Sequence, residues 1–394
     1  PSGEGLSAAF SEGVTSQGVD VTNIGLASTD LLYFASGYLN APAAMLTASH
    51  NPAAYNGMKL CQSSAKAIGA DTGLDQIQHL ATQPASSTKQ RGSVHHMNLL
   101  DKFVQHVHSF VDISALKPLK VVADTANGMG GLVVPAAFNA LPFELEILYE
   151  DLDGTFPNHP ADPLQIENLA DLQRRVLETG ADIGLAFDGD ADRVFLVDER
   201  AVPITGSITT ALVAQAILER EGPGPILHNL ICSKATVEAI REGGGDPLRT
   251  RVGHSFIKAL MADTGAMFGG EHSGHYYFAR NYGADSGLIA AMIVLERLSQ
   301  SEGPLSSMCR PFQRYSQSGE INVDVDDTAT AIQNIADGFT DQQQDRLDGL
   351  TVDCGDWWFN VRPSNTEPLL RLNVEGPDVT EVAKRVDQIL DLIH

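Results

Sequence analysis

Three aspartates alternate in the segment Asp188-Gly189-Asp190-Ala191-Asp192-Arg193, between the apolar runs Ile183-Gly184-Leu185-Ala186-Phe187 and Val194-Phe195-Leu196-Val197. Strands on either side force the three charges together, and a cation resolves their repulsion. Hard oxygen donors in a tight turn suit a small cation of octahedral preference, so Mg²⁺ is the expected occupant, one per chain. A calcium loop of the EF-hand type needs glycine at its sixth position and glutamate at its twelfth; Arg193 and Glu199 stand there instead.

Three further loops carry reactive or anion-binding side chains. In Thr47-Ala48-Ser49-His50-Asn51-Pro52 a serine ends the apolar run Ala43-Ala44-Met45-Leu46, and Pro52 blocks any continuation of regular structure. The hydroxyl of Ser49 is thereby exposed on a rigid turn beside His50. Gly270-Glu271-His272-Ser273-Gly274-His275 presents a carboxylate and a hydroxyl between glycines that permit close approach. A carboxylate there can accept hydrogen bonds from two vicinal sugar hydroxyls. Arg362, Ser364, Asn365 and Thr366, in Arg362-Pro363-Ser364-Asn365-Thr366-Glu367-Pro368, make a compact anion site of guanidinium, hydroxyls and amide.

Together and in this order, the four loops resemble the α-D-phosphohexomutase family, most closely its bacterial phosphomannomutase/phosphoglucomutase branch. The resemblance spans nearly the whole chain. It implies a phosphoserine at Ser49, a magnesium site of Ser49, Asp188, Asp190 and Asp192, and acid/base work or phosphate contact by His50 and Lys59. Arg193 matches the arginine that follows the family's metal loop. Glu271 and Ser273 match its sugar readers, while His254 (in Gly253-His254-Ser255-Phe256-Ile257-Lys258) and His275 match further substrate contacts. Arg362, Ser364, Asn365 and Thr366 correspond to the grip on the non-reacting phosphate. The implied reaction interconverts 6-phospho and 1-phospho sugars, with hexose 1,6-bisphosphate as intermediate and activator. One departure stands out: several family members have lysine immediately before the position of Cys232, where this chain has Ile231. Either Lys234 substitutes or the contact is lost.

Composition narrows the partners. A net charge of −24 leaves no basic field for nucleic acid. An anionic sugar phosphate must be drawn in by local lysine, arginine and metal charge. Cys61, Cys232, Cys309 and Cys354 lie far apart without metal-ligand spacing, which fits a reducing, cytoplasmic setting. No apolar run approaches the roughly 18 residues of a membrane span. The expected assembly is a monomer or homodimer. The chain opens at Pro1 with the amphipathic segment Leu6-Ser7-Ala8-Ala9-Phe10, whereas the family carries several dozen residues upstream, so the first unit is expected to lack its N-terminal part.

Alternating strand and helix patterns predict an α/β protein. Three similar α/β units with mixed, mostly parallel sheets are expected at 1–95, 96–202 and 203–314, with a C-terminal α+β unit at 315–394, around a central cleft. Loops at strand C-termini are where open α/β sheets place their ligands. The Gly-rich turn Thr125-Ala126-Asn127-Gly128-Met129-Gly130-Gly131 lacks a P-loop lysine and reads as tight strand-to-helix packing. The last loop favours phosphomannomutase/phosphoglucomutase over phosphoglucosamine mutase, which usually has Arg-x-Ser-Gly-Thr there. Phosphoglucosamine mutase, or a sugar-phosphate-binding protein without turnover, remains the alternative. No residue visibly separates mannose from glucose.

Overall fold

The computed structural model describes residues 2–69, 72–84, 90–364 and 369–393. Its second and third units share one plan. The second has five strands in the order Glu144–Leu148, Lys120–Asp124, Ile183–Phe187, Val194–Asp198 and Pro203–Ile204. The third repeats it with Asp246–Thr250, Pro225–Asn229, Phe268–Gly270, Tyr276–Phe278 and Ala284–Asp285. In both, the first two pairings are parallel and the last two antiparallel. The sheets are therefore mixed as expected, but evenly rather than mostly parallel. The cause is local: a short loop can return the chain only antiparallel, whereas parallel neighbours need a crossover helix.

That short return makes the functional loops. Phe187 pairs with Val194 across the acidic loop, and Gly270 pairs with Tyr276 across the Glu271 loop. The first unit has the same device, the antiparallel hairpin of Ala43–Leu46 and Met58–Cys61, whose connection carries Ser49. Its other described sheet pairs Val21–Asn23 with Val94–His96 in parallel. Three equivalent hairpins thus point three loops at one cleft.

Strands Ile183–Phe187 and Val194–Asp198 are buried at every position, as near-continuous apolar runs covered on both faces should be. Helix Gly287–Gln300 is buried from Gly287 to Glu296; it is apolar all round and lies in the core that joins the first three units. Ser286 caps it, accepting from the Ile289 amide at 3.1 Å.

The C-terminal unit has its own core around Val323, Ile335, Phe359 and Leu372. Its five strands, all antiparallel to their neighbours, run in the order Ser316–Asp324, Leu369–Gly376, Trp358–Pro363, Leu350–Asp353 and Gln343–Asp345. Helices Thr328–Gly338 and Val379–Ile393 cover them. It meets the third unit largely through polar contacts: Glu375 accepts from the Lys234 amide at 2.9 Å, and Asp348 from the Val252 amide at 3.2 Å. All four cysteines are free, and among the described residues no helix is long and apolar enough to cross a membrane.

Candidate active site

The acidic loop and the serine loop meet backbone to backbone. A Cβ on Gly189 would lie 2.4 Å from the Ser49 carbonyl oxygen, so only glycine lets the two loops close. Ser49 itself sits at a left-handed φ of 53°, unusual for a residue with a side chain. Its amide donates to Thr47 Oγ1 at 2.8 Å, and its hydroxyl donates to Asp188 Oδ2 at 3.1 Å. His50 Nδ1 is 3.2 Å from the same hydroxyl.

Asp188, Asp190 and Asp192 are all buried, with oxygens within 4.8 Å of one another. Lys59 reaches them from the far strand of the serine hairpin, 2.7 Å from Asp190 Oδ2 and 2.6 Å from Asp192 Oδ2. Burial works against the charge on Lys59, but Asp192 and Asp190 outweigh it and hold the ammonium well above the usual lysine range. Arg193 turns back on its own loop, donating to Asp188 Oδ2 through Nε at 2.8 Å, and stands 3.6 Å from Asp162. Its NH2 is buried without a hydrogen-bond partner.

These contacts fit a cation. Asp190 and Asp192 each keep one buried oxygen, Oδ1, without a hydrogen-bond partner. Burial and the Asp190 carboxylate push the Asp192 carboxyl up to about 7. Three carboxylates face two fixed cations here, and orphaned carboxylate oxygens are the hard donors that Mg²⁺ takes.

The Glu271 loop abuts the acidic loop directly: Arg193 and His275 form an isolated antiparallel bridge, and His275 Nδ1 is 3.7 Å from Asp192 Oδ1. Gly274, at a φ of +86°, lets Phe195 pack where a Cβ would stand 2.5 Å from its ring. Glu271 is buried; Tyr277 donates to its Oε2 at 2.9 Å, while the Gly253 amide donates to Oε1 at 3.3 Å. Ser273 is half-buried. His272 turns aside to Asn229 at 3.0 Å. His254 opens helix His254–Thr264 with Nδ1 2.9 Å from Tyr277 Oη.

Arg362 is the penultimate residue of strand Trp358–Pro363, buried, with NH2 donating to Glu320 at 2.6 Å and Nε without a hydrogen-bond partner. Arg371 stands opposite it on the next strand, also paired with Glu320, at 3.3 Å. Ser364 donates its amide to the Leu369 carbonyl at 2.9 Å. Asn365 and Thr366 lie outside the described residues.

The structure thus groups Ser49, His50, Lys59, Arg193 and the three aspartates, and sets His275, His254, Glu271 and Ser273 alongside. Lys234, the expected substitute at the Ile231 departure, makes its contacts with the C-terminal unit in this structure. It opens helix Lys234–Glu242, and its ammonium is held by Asp353 at 3.0 Å and the Gly355 carbonyl at 2.8 Å. The Gly-rich turn packs on the acidic loop, Met129 donating its amide to the Gly189 carbonyl at 2.9 Å.

Several residues of the site stand outside the four loops. Thr29 donates to Asp190 at 2.7 Å, and Tyr277, Asp285, Lys258 and Arg371 line the rest. Lys258 alone carried a usable signal, one turn beyond His254 on the same helix face.

Fold and site together define a four-part sugar-phosphate mutase architecture, and the chain belongs to the phosphoglucomutase/phosphomannomutase family. Profiles of its α/β/α domains I, II and III match residues 1–87, 101–201 and 205–315, and its C-terminal domain matches 320–392. Among relatives, the phosphohexose mutases of Xanthomonas campestris pv. campestris are 40% identical over 395 positions, covering 99% of this chain and 88% of theirs. The phosphomannomutase of Escherichia coli K12 is 39% identical over 405 positions, covering 99% and 89%. The crystal structure of a phosphoglucomutase/phosphomannomutase family protein from Burkholderia thailandensis superimposes with a TM-score of 0.89 at 32% identity, covering 100% of this chain and 86% of that one.

Proposed function

We propose that this chain is a phosphohexose mutase interconverting mannose 6-phosphate with mannose 1-phosphate, and glucose 6-phosphate with glucose 1-phosphate. The observation that carries this reading is the Ser49 hydroxyl, 3.1 Å from the first aspartate of a buried acidic triad and flanked by Lys59 and Arg193. A phosphoryl group on that oxygen would carry about −1.5 to −2 charges. Positioning and charge neutralisation are what phosphoryl transfer needs most.

In the forward step a sugar hydroxyl oxygen bonds to the phosphorus of phospho-Ser49 and the bond to Ser49 Oγ breaks. The hydroxyl proton passes through His50, whose Nδ1 is 3.2 Å from Oγ, to the departing serine oxygen. The product is hexose 1,6-bisphosphate. After a half-turn of the sugar, its other phosphoryl group returns to Ser49 by the reverse step. Lys59 and Arg193 neutralise the transferring group. Asp188, Asp190 and Asp192, with the Ser49 phosphate, would hold Mg²⁺, which supplies positive charge to the phosphoryl oxygens.

Glu271, Ser273, His254 and His275 read sugar hydroxyls. Arg362, Ser364, Asn365 and Thr366 hold the resting phosphate. Domain boundaries near 95, 202 and 314 are part of the same reading, supported by the matched segments 1–87, 101–201, 205–315 and 320–392.

The test is turnover of mannose 1-phosphate and glucose 1-phosphate, with glucose 1,6-bisphosphate present and Mg²⁺ added or chelated. Magnesium-dependent formation of the 6-phosphates from either sugar is expected. Binding of both sugars with no turnover would support the non-catalytic reading instead.

A further inference from the structure

Asp285 is fully buried at the end of strand Ala284–Asp285, and the phosphoryl transfer described above gives it no part. Two histidines of the cleft converge on it. His275 Nδ1 is 3.0 Å from Asp285 Oδ2, and His254 Nδ1 is 3.4 Å from the same oxygen. The two rings pack edge to face with centroids 4.2 Å apart. On the carboxylate's other side, Lys258 Nζ lies 3.5 Å from Oδ1. An ammonium so close favours the ionised carboxylate, which can only accept hydrogen bonds.

The partners therefore dictate where the imidazole protons sit. A carboxylate facing a ring nitrogen at 3.0 Å requires that nitrogen to carry the proton, so His275 is protonated at Nδ1. His254 meets the same condition twice. Tyr277 has one hydroxyl proton, which it gives to Glu271 Oε2 at 2.9 Å, leaving an oxygen lone pair towards His254 Nδ1, also 2.9 Å away. His254 Nδ1 consequently faces two acceptors, Tyr277 Oη and Asp285 Oδ2. Its side chain is 39% exposed, and with the Nδ1 edge turned to buried groups, the accessible edge is that of Nε2.

We propose that Asp285 is a positioning residue that fixes both His254 and His275 as their Nδ1–H tautomers, so that each offers a bare Nε2 as acceptor to hydroxyl groups of the sugar phosphate. With Glu271, which is also an acceptor, the sugar side of the cleft then presents three acceptors matched to hydroxyl donors. Phosphate oxygens, which accept, are left to the lysine and arginine side. The same carboxylate and two Nδ1 atoms lie within 4.8 Å of one another, a spacing a metal ion could span. A cation there would displace both Nδ1 protons and face the Lys258 ammonium, so protons satisfy these contacts and a metal does not.

The choice of sugar phosphate as ligand rests on the mutase reading; the tautomers do not, and they can be measured without turnover. Long-range ¹H–¹⁵N correlation spectra of ¹⁵N-histidine-labelled protein at pH 8.5, assigned with His254→Gln and His275→Gln, read each ring directly. Both rings are expected to carry a proton on Nδ1 and none on Nε2. A proton on Nε2 of either ring in the parent protein overturns the proposal, whether or not the protein turns over hexose phosphates.

Asp285→Asn extends the test. Its amide has one acceptor oxygen for a lysine and two imidazoles, and the ammonium can only donate. The oxygen goes to Lys258 and the NH₂ faces the rings at 3.0 Å from His275 Nδ1, nearer than Asp192 Oδ1 at 3.7 Å, so His275 at least should move its proton to Nε2. A folded Asp285→Asn should then lose about 10- to 10⁴-fold in kcat/KM, a range set by outer-shell partners of metal-bound histidines at the low end and a wrong-tautomer triad histidine at the high end. Retention of both Nδ1 protons in that variant overturns the proposal as well.

Discussion

Ser49 reaches Asp188 because its backbone turns to a φ of 53° while Thr47 Oγ1 holds its amide at 2.8 Å. A side chain in that region costs about 1–2 kcal/mol, and the observed outlier coincides with the proposed phosphoryl carrier. Arg362 is buried, paired with Glu320 through NH2, and keeps Nε without a hydrogen-bond partner. If it holds whichever phosphate is at rest, Arg362→Ala removes charge-assisted bonds worth roughly 1.5–3 kcal/mol, or about 10- to 150-fold in binding. Affinity for 1-phospho and 6-phospho sugars should fall alike in isothermal titrations; a loss confined to one would show that the two orientations do not share this arginine. At this scale the sequence was most legible where polar loops interrupt apolar runs, as at Ser49 and Asp188–Asp192. It was silent on Asp285, a lone carboxylate between Ala284 and Ser286 that only its neighbours in space single out, and on Arg371, which is spaced from Arg362 by a hairpin rather than a motif.

Each functional loop is the short return of a hairpin, and the elements beside it are fixed by buried polar contacts. Helix Thr29–Leu39 begins against the acidic loop, with the Thr29 amide donating to the Asp190 carbonyl at 2.9 Å. The next residue, Asp30, is fully buried and accepts from the Leu31 amide at 2.8 Å, from Ser286 Oγ at 2.6 Å and from Ser28 Oγ, tying the first unit to the third. Burial outweighs those bonds and pushes its carboxyl up to about 7 from an ordinary 3.8. The sign follows. Between these pH values the unfolded chain releases the proton while the folded one keeps it, so stability falls as pH rises and levels off above about 7. Asp30→Asn removes that dependence. Its stability relative to the parent in urea titrations should grow from pH 4 to pH 7, by at most about 4 kcal/mol, and then stay flat; a difference that shrinks with pH would refute the assignment. Strand legibility followed composition. The apolar runs Ile183–Phe187 and Val194–Asp198 were readable, whereas Trp358–Pro363 hides Asn360 and Arg362 among its buried positions, and Tyr276–Phe278 is too short for a period to register.

Across the whole molecule one core joins the first three units, while the C-terminal unit folds around another and docks by polar contacts. The three-fold repeat was legible because each unit reuses strand, helix and hairpin; the seam was not, because its residues are distant in sequence. Lys234 belongs to that seam. Its ion pair with Asp353 is partly exposed on both sides, 30% and 48%, and pairs of that kind are worth about 0–1 kcal/mol. Lys234→Ala should therefore leave KM for both sugar phosphates within about twofold in steady-state assays, whereas a large rise would return it to phosphate binding. Whether the assembled loops act on the Ser49 oxygen is read by incubation with ³²P-labelled glucose 1,6-bisphosphate and Mg²⁺, followed by proteolysis and localisation of acid-stable label by mass spectrometry. Stoichiometric label on Ser49, discharged by added mannose 1-phosphate or glucose 1-phosphate and absent from Ser49→Ala, is the result expected. Turnover of either sugar by the parent protein with no label on Ser49 would contradict it.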